Sequence, residues 1–155
     1  MNNSKIRSVK AEDIPLLEDV VDSSGLFPGE MLSDMIGDSL DDCDSREYWL
    51  TYETEKPIAV AYFAPERMTK GTWNLHLIVV HADHQGSGIG ALLMDHVEDF
   101  LRSKGERLLV VETSDLEEFA LTRKFYERIS YIKEAHIREF YDKGEGKVVF
   151  CKKLN

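Results

Sequence analysis

The chain has 155 residues, 43% of them hydrophobic and 31% charged, with 19 lysines and arginines against 29 aspartates and glutamates, a net charge of −10. That length fits one domain of roughly 100 to 200 residues with enough core to fold without staples, which argues against disorder or a collagen-like fibre. No apolar run approaches the roughly 18 residues that span a bilayer, and Met1–Lys10 has no signal-peptide core, so a cytoplasmic protein without a membrane partner is expected.

Lys5–Val9 reads as a short strand. Glu12, Asp13 and Pro15 then resemble a helix start, and Ile14, Leu17, Val20 and Val21 recur at helical spacing until Ser23-Ser24-Gly25. A second helix is expected after Pro28, with Met31, Leu32, Met35, Ile36 and Leu40 facing inward. Residues 11–55 hold 14 acids and one base, Arg46, while 56–155 hold 15 of each sign. A nucleic-acid binder needs a basic stripe, so that partner is disfavoured. Cys43 and Cys151 are far apart, with no CxxC or Cys/His cluster, so neither a disulfide framework nor a metal site is expected. His81, His84, His96 and His136 show no ligand spacing either.

Tyr48–Glu53 and Ile58–Ala64 flank Thr54-Glu55-Lys56-Pro57 and read as a hairpin, and Thr72–Val80 adds a third strand to a meander. Ile89, Leu92, Leu93, Val97, Phe100 and Leu101 form one helical stripe, ended by Lys104-Gly105. Arg107–Glu112 follows as a strand buried on both faces, since Leu108–Val111 shows no alternation. A helix over Leu116–Arg128 comes next. Strands near Tyr131–Phe140 and Lys147–Lys153 close the chain around the turn Lys143-Gly144-Glu145-Gly146.

The chemistry concentrates where the strand ending Leu77-Ile78-Val79-Val80 runs through His81-Ala82-Asp83-His84 into Gln85-Gly86-Ser87-Gly88-Ile89-Gly90-Ala91, which opens the amphipathic helix. Such a turn aims unpaired amides and the positive end of a helix dipole at one point, which suits a phosphate. A Walker loop would need Gly-Lys-Ser/Thr, but Gly90 precedes Ala91 and Leu92. The spacing GxGxxG/A is met, and Glu112 lies ~20 residues on, where a dinucleotide fold has its ribose acid. Against that reading, five residues separate Val80 from Gly86, a meander comes first, and too little chain follows for a second nucleotide half.

Gln85-Gly86-Ser87-Gly88-Ile89-Gly90 also matches Q/R-x-x-G-x-G/A, and in this order of elements the chain resembles the GNAT superfamily of acyl-CoA N-acyltransferases over most of its length. The resemblance implies an α/β (α+β) fold of one domain over 1–155. It would have a mixed, mostly antiparallel sheet of about seven strands and about four helices, splayed between strands 4 and 5. It implies acetyl-CoA as acyl donor, with Leu77, Ile78, Val79 and Val80 along the pantetheine arm and amides from Gln85 to Ala91 on the pyrophosphate. Ala82 stands where many relatives have proline, which should loosen the turn. Phe125-Tyr126-Glu127-Arg128-Ile129-Ser130-Tyr131 resembles the family's FYExxGF/Y segment, with Ser130 in place of glycine. The resemblance makes Tyr126 a candidate donor of a proton to the leaving thiolate; a plain core tyrosine is the alternative.

An ammonium acceptor must lose a proton before it attacks, so a base or a water chain is needed. Glu112 lies where some N-acetyltransferases of the family have a glutamate, and burial there would make it a stronger base; a solvent-facing carboxylate paired with a lysine is the alternative. His76, on the preceding strand, is the reserve candidate. Arg123, Lys124 and Arg128 share a helix with Tyr126 and either reach the coenzyme phosphates or stand in solvent. The acid around Glu30, Asp34 and Asp38 favours a cationic small-molecule or peptide amine as acceptor, or serves solubility. Exposed strand edges near the carboxyl end make a homodimer reasonable. A coenzyme-binding sensor without turnover is the competing reading.

Overall fold

The computed structural model describes residues 5–155. The signal-peptide reading of Met1–Lys10 therefore extends onto residues 1–4, which lie outside the described residues. The strands are β1 (Ile6–Ser8), β2 (Tyr48–Glu53), β3 (Pro57–Pro65), β4 (Thr72–Val80), β5 (Leu108–Ser114), β6 (Ile132–Asp142) and β7 (Glu145–Lys153). The helices are α1 (Ile14–Ser24), α2 (Leu32–Ile36), α3 (Ile89–Ser103) and α4 (Ala120–Arg128). The strands form one mixed sheet in the order β1-β2-β3-β4-β5-β7-β6. No helix among the described residues is long and apolar enough to cross a membrane.

The chain divides into two compact units. The first comprises the segment up to Ala64 together with His76–Phe100, the second Pro65–Leu75 together with Leu101–Asn155. In the first, Leu17, Val20 and Val21 of α1 and Leu32 and Ile36 of α2 share a core with Trp49, Val60, Leu77 and Val79. Met31 and Met35, expected inward, are 48% and 39% exposed. A helix advances about 100° per residue, so once Leu32 and Ile36 take the core their preceding neighbours fall on its flank. On the other face of this unit's strands, Tyr48, Phe63 and Phe100 form an aromatic cluster. Beside β1, Arg7 forks to Asp13 (2.7 and 2.9 Å) and to Glu53 (3.0 and 3.2 Å). Asp13 is buried, and this bidentate guanidinium contact holds its carboxyl below the usual carboxylate range.

In the second unit, β5 pairs with β4 in parallel from Thr72↔Leu108 to Leu75↔Val111, and with β7 antiparallel from Leu108↔Lys153 to Ser114↔Lys147. Both β4 and β5 run on past the end of their parallel ladder. The apolar run of β5 was expected to be buried on both faces; instead Leu109 and Val111 are buried while Leu108 and Val110 are half-buried. Tyr126, Tyr131, Val148 and Phe150 of this unit are buried too, with the Tyr126 ring 5.8 Å from that of Tyr131 and 5.7 Å from that of Phe150. The outer strand β6 is exposed throughout, Ile132 at 65%. Its pairing with β7 shifts register at Lys133/Ala135 and again between Ile137 and Asp142. Such irregularities at an edge discourage further strands from adding.

Candidate functional site

In the first unit, Leu77 and Val79 anchor the second half of β4 in the core, while Ile78 and Val80 stay half-buried. The chain leaving β4 is tied down at each step. The His81 N–H donates to the Ile58 carbonyl (2.8 Å), His81 Nδ1 accepts from the Asp83 N–H (3.1 Å), and the Gln85 side-chain amide donates to the Val80 carbonyl (3.1 Å). The Ala82 N–H donates to Ser23 Oγ at the end of α1 (3.1 Å), a bond that the proline of many relatives could not make. The turn is therefore fastened by α1 where the sequence suggested loosening.

Gly86 and Gly88 then take φ of 79° and 89°, the left-handed region that glycine enters freely. The Ser87 hydroxyl donates back to the His84 carbonyl (2.5 Å), closing the turn. The first bond of α3 runs from the Leu92 N–H to the Gly88 carbonyl (3.1 Å), which leaves the amides of Ile89, Gly90 and Ala91 as the orphan donors of a helix start. Among the described residues nothing accepts from the N–H groups of Gly86 to Ala91, and Gln85 to Gly88 are exposed. Unpaired amides at the positive end of a four-turn helix form a site for a polyanion, whatever the protein's net charge.

His76, also in this unit, is exposed. Its ring lies 5.1 Å from that of Tyr62, which stacks on Trp49 at 4.2 Å. Burial, and then the Glu47 carboxylate, push the Tyr62 phenol up to about 12. Trp49 Nε1 is buried with no acceptor among the described residues.

The second unit holds the other candidates. Glu112 is exposed rather than buried. Its carboxylate accepts from Lys147 Nζ (2.9 Å) and Asn74 Nδ2 (3.2 Å), and Lys147 Nζ sits 3.6 Å from the centroid of the Phe140 ring. Tyr126 is 4% exposed, with the rings of Phe125, Tyr131 and Phe150 centred 5.3, 5.8 and 5.7 Å away. Burial raises its phenol well above the ordinary tyrosine range, so the hydroxyl keeps its proton at neutral pH. Ser130 takes φ 74°, and the Tyr131 N–H bonds back to the Tyr126 carbonyl (2.9 Å), so the glycine-type end of α4 survives its replacement by serine. Arg123 donates to the carbonyls of Ser114 (2.7 Å) and Leu116 (2.8 Å), bracing the chain after β5.

One cluster was missed in the sequence. Asp115 Oδ2 lies 2.8 Å from His136 Nε2, and Asp115 Oδ1 accepts from the Gly146 N–H at 2.8 Å. These two side chains are 21 residues apart, and only the β5-β7-β6 order brings them together. A histidine in an alternating strand gives no warning of that partner.

A model of the acetyltransferase (GNAT) family matches residues 17–131. The chain belongs to that family. A search of curated proteins finds no match. Among solved structures, this GNAT chain is similar to a Desulfovibrio desulfuricans protein described as a GNAT acetyltransferase, at 29% identity and a TM-score of 0.90 over 97% of this chain and 98% of that one. It is also similar to the ribosomal-protein-S18-alanine N-acetyltransferase of Escherichia coli (20% identity, TM-score 0.78, covering 97% and 93%). A third likeness is to a Salmonella typhimurium protein solved with its cofactor acetyl-CoA (16% identity, TM-score 0.73, covering 97% and 93%). The last two speak for the fold alone. The GNAT family and, among the described residues, the mixed seven-stranded sheet with four helices are thus shown.

Proposed function

We propose that this GNAT protein transfers an acetyl group from acetyl-CoA to a primary amine by direct attack within a ternary complex. The observation that carries the proposal is the row of unpaired amides from Gly86 to Ala91 at the start of α3, with Gly86, Ser87 and Gly88 exposed. They fit the pyrophosphate of coenzyme A, with Gln85 closing the turn and Leu77 to Val80 lying along the pantetheine arm. No acyl-enzyme is invoked, because Cys43 and Cys151 lie away from the signature in the sequence, neither has a base as partner among the described residues, and burial raises the thiol of Cys151.

In this mechanism the amine nitrogen attacks the thioester carbonyl, and the carbon–sulfur bond breaks as the tetrahedral intermediate collapses. Glu112, or a water it holds, takes a proton from the nitrogen, with His76 as the alternative acceptor. Tyr126 gives its proton to the departing thiolate. Glu112 then gives the proton it took to solvent and Tyr126 regains one from solvent, so both side chains return to their starting states.

The exposed acids Glu30, Asp34 and Asp38 support a cationic acceptor. The kcat/KM for cationic amines should then fall with ionic strength; a flat salt response removes this part of the proposal. A homodimer would rest on the exposed face of β6 and not on pairing along its irregular edge, and sedimentation would read it.

A second reading, a coenzyme sensor without turnover, is favoured by the Lys147 and Asn74 contacts that already occupy Glu112. Isothermal titration with acetyl-CoA, followed by thiol release against polyamines, amino acids, aminoglycosides and peptides, separates the two. Binding with acceptor-dependent thiol release supports the transferase, binding without release supports the sensor, and no binding overturns both.

A further inference from the structure

The turn that receives the coenzyme carries no strong cation of its own. Residues 76–100 contain no lysine or arginine, and Asp83 beside the turn is an exposed acid. Unpaired amides at a helix start supply partial positive charge, which suits the two linked phosphates of a pyrophosphate. Coenzyme A bears a further phosphate, a monoester on the 3′ oxygen of its ribose, one sugar away from that pyrophosphate. A dianion of this kind calls for a full positive charge, and in a protein of net charge −10 that charge has to be local.

The same compact unit holds one beside the turn. The pairing of β2 with β3 shifts register between Tyr52 and Glu53, which passes over Ile58 and leaves Thr54, Glu55 and Lys56 as the hairpin turn. The Thr54 N–H donates to the Lys56 carbonyl (3.2 Å) and closes it. Ile58 is 2% exposed, and its carbonyl accepts from the His81 N–H (2.8 Å), so the hairpin is fastened to the chain that enters the coenzyme turn. Thr54, Glu55, Lys56, Ile58 and His84 then line an open recess of about 720 Å³.

His84 joins this recess to the amides. It directly precedes Gln85, and its carbonyl accepts from the Ser87 hydroxyl inside the turn. Its ring is half-buried and stands nearly perpendicular to that of His81, with the centroids 6.0 Å apart. An imidazole offers an N–H even when neutral, and the ammonium of Lys56 offers three. Lys56 is exposed, and no carboxylate among the described residues pairs with it. Glu55 lines the recess too, which opposes an anion and keeps the expected effect modest.

The geometry points to a phosphomonoester subsite in this recess, where Lys56 and His84 hold the 3′-phosphate of the coenzyme whose pyrophosphate rests on the Gly86 to Ala91 amides. The proposal rests on the coenzyme reading above and narrows it. The chain becomes selective for coenzyme A over the same molecule without its 3′-phosphate, and the selectivity is one of affinity.

Isothermal titration in phosphate-free buffer compares acetyl-CoA with acetyl-3′-dephospho-CoA on wild type, Lys56→Gln, Lys56→Arg and His84→Gln, with Tm reporting the fold of each. Wild type should bind the complete coenzyme about tenfold more tightly, the scale of a charge-assisted contact on an open surface. Lys56→Gln should remove most of that preference, His84→Gln should reduce it by about threefold, and Lys56→Arg should keep it. The losses should fall on acetyl-CoA alone, with affinity for the shortened coenzyme unchanged within about twofold. The wild-type preference should also shrink as salt is added. Equal binding of the two coenzymes by wild type leaves the recess to water or a free phosphate and overturns the subsite, while the coenzyme assignment stands. A preference that survives both Lys56→Gln and His84→Gln overturns it too, as does an equal loss for both coenzymes, which would mean that these side chains only shape the turn. Binding of neither coenzyme by wild type overturns the coenzyme reading, and the subsite falls with it.

Discussion

The turn from Gln85 to Ala91 and the end of β5 differ in how their polar groups are satisfied. In the turn, the amides of Gly86 to Ala91 have no acceptor among the described residues. At the end of β5, Glu112 is paired with Lys147 and Asn74, and Asp115 with His136 and Gly146. Exposed amides tolerate an empty site because water satisfies them at little cost. Charged side chains on a sheet are held in place by partners, and a partner changes what a carboxylate can do. A binding site made of backbone is therefore visible as missing bonds, whereas a proton-handling site has to be found among bonds that are already made.

The sharpest way to break this contrast is at Tyr126, a buried tyrosine whose ring lies among Phe125, Tyr131 and Phe150. Tyr126→Phe keeps the aromatic cluster and removes the proton donor, so kcat should drop by about 100-fold or more while acetyl-CoA affinity stays within about twofold. Single-turnover thiol release measures the first and titration the second. An unchanged kcat would mean that the thiolate is protonated from elsewhere or that this step does not limit turnover.

A slightly smaller effect is expected at the turn itself. Nothing lies within 4 Å of a side chain placed at Gly88, so a substitution there acts through the backbone and not through a clash. With φ at 89°, Gly88→Val should weaken acetyl-CoA binding by about 100-fold and Gly88→Asn by only a few-fold, since asparagine tolerates left-handed φ. Equal affinities for the two variants would show that the backbone conformation is not what holds the coenzyme.

Carboxylate pairing can serve stability alone, and Asp13 provides the reference. Removing its partner with Arg7→Gln strands a buried carboxylate, with an expected loss of about 2–3 kcal/mol by denaturant titration and no change in kcat. The depressed pKa of Asp13 means that this stabilisation is fully present above the unfolded carboxylate value near 3.9 and disappears as pH falls through the folded value. Wild type and variant should therefore converge in stability in strong acid. Glu112→Gln then sharpens the comparison: a fall in Tm with kcat preserved places Glu112 with Asp13, and a fall in kcat at constant Tm makes it the base.

Most of the fold was legible because it follows from periodicity. The helical stripe from Ile89 to Leu101 and the glycines of the turn are local signals, and they lie where α3 and its amides are found. The orientation of Met31 and Met35 was not legible, because four apolar residues in a short helix leave open which pair takes the core, and tertiary packing chose Leu32 and Ile36. A lysine partner for Glu112 was one of its two expected settings, but which lysine it would be, and the partner of His136, were hidden for a different reason. Lys147 and Asp115 reach them through strand order, and nothing in the local pattern of β5 or β6 records that β7 runs between them.

The smallest expected effect concerns the end of α4, where sequence and conformation disagree. The family segment has glycine where this chain has Ser130, yet the backbone keeps φ at 74°, with the Ser130 N–H bonded to the Glu127 carbonyl (3.1 Å) and the Tyr131 N–H to the Tyr126 carbonyl. Those bonds fix the position of Tyr126, so the helix end keeps its form although a side chain makes it less favourable. Ser130→Gly should relieve that strain and raise stability by about 0.5–1 kcal/mol, offset in part by the greater freedom of glycine in the unfolded chain. Thermal unfolding of the two proteins measures it. An unchanged or lower Tm would show that the serine conformation carries no strain, and that the tyrosine is held by its aromatic neighbours alone.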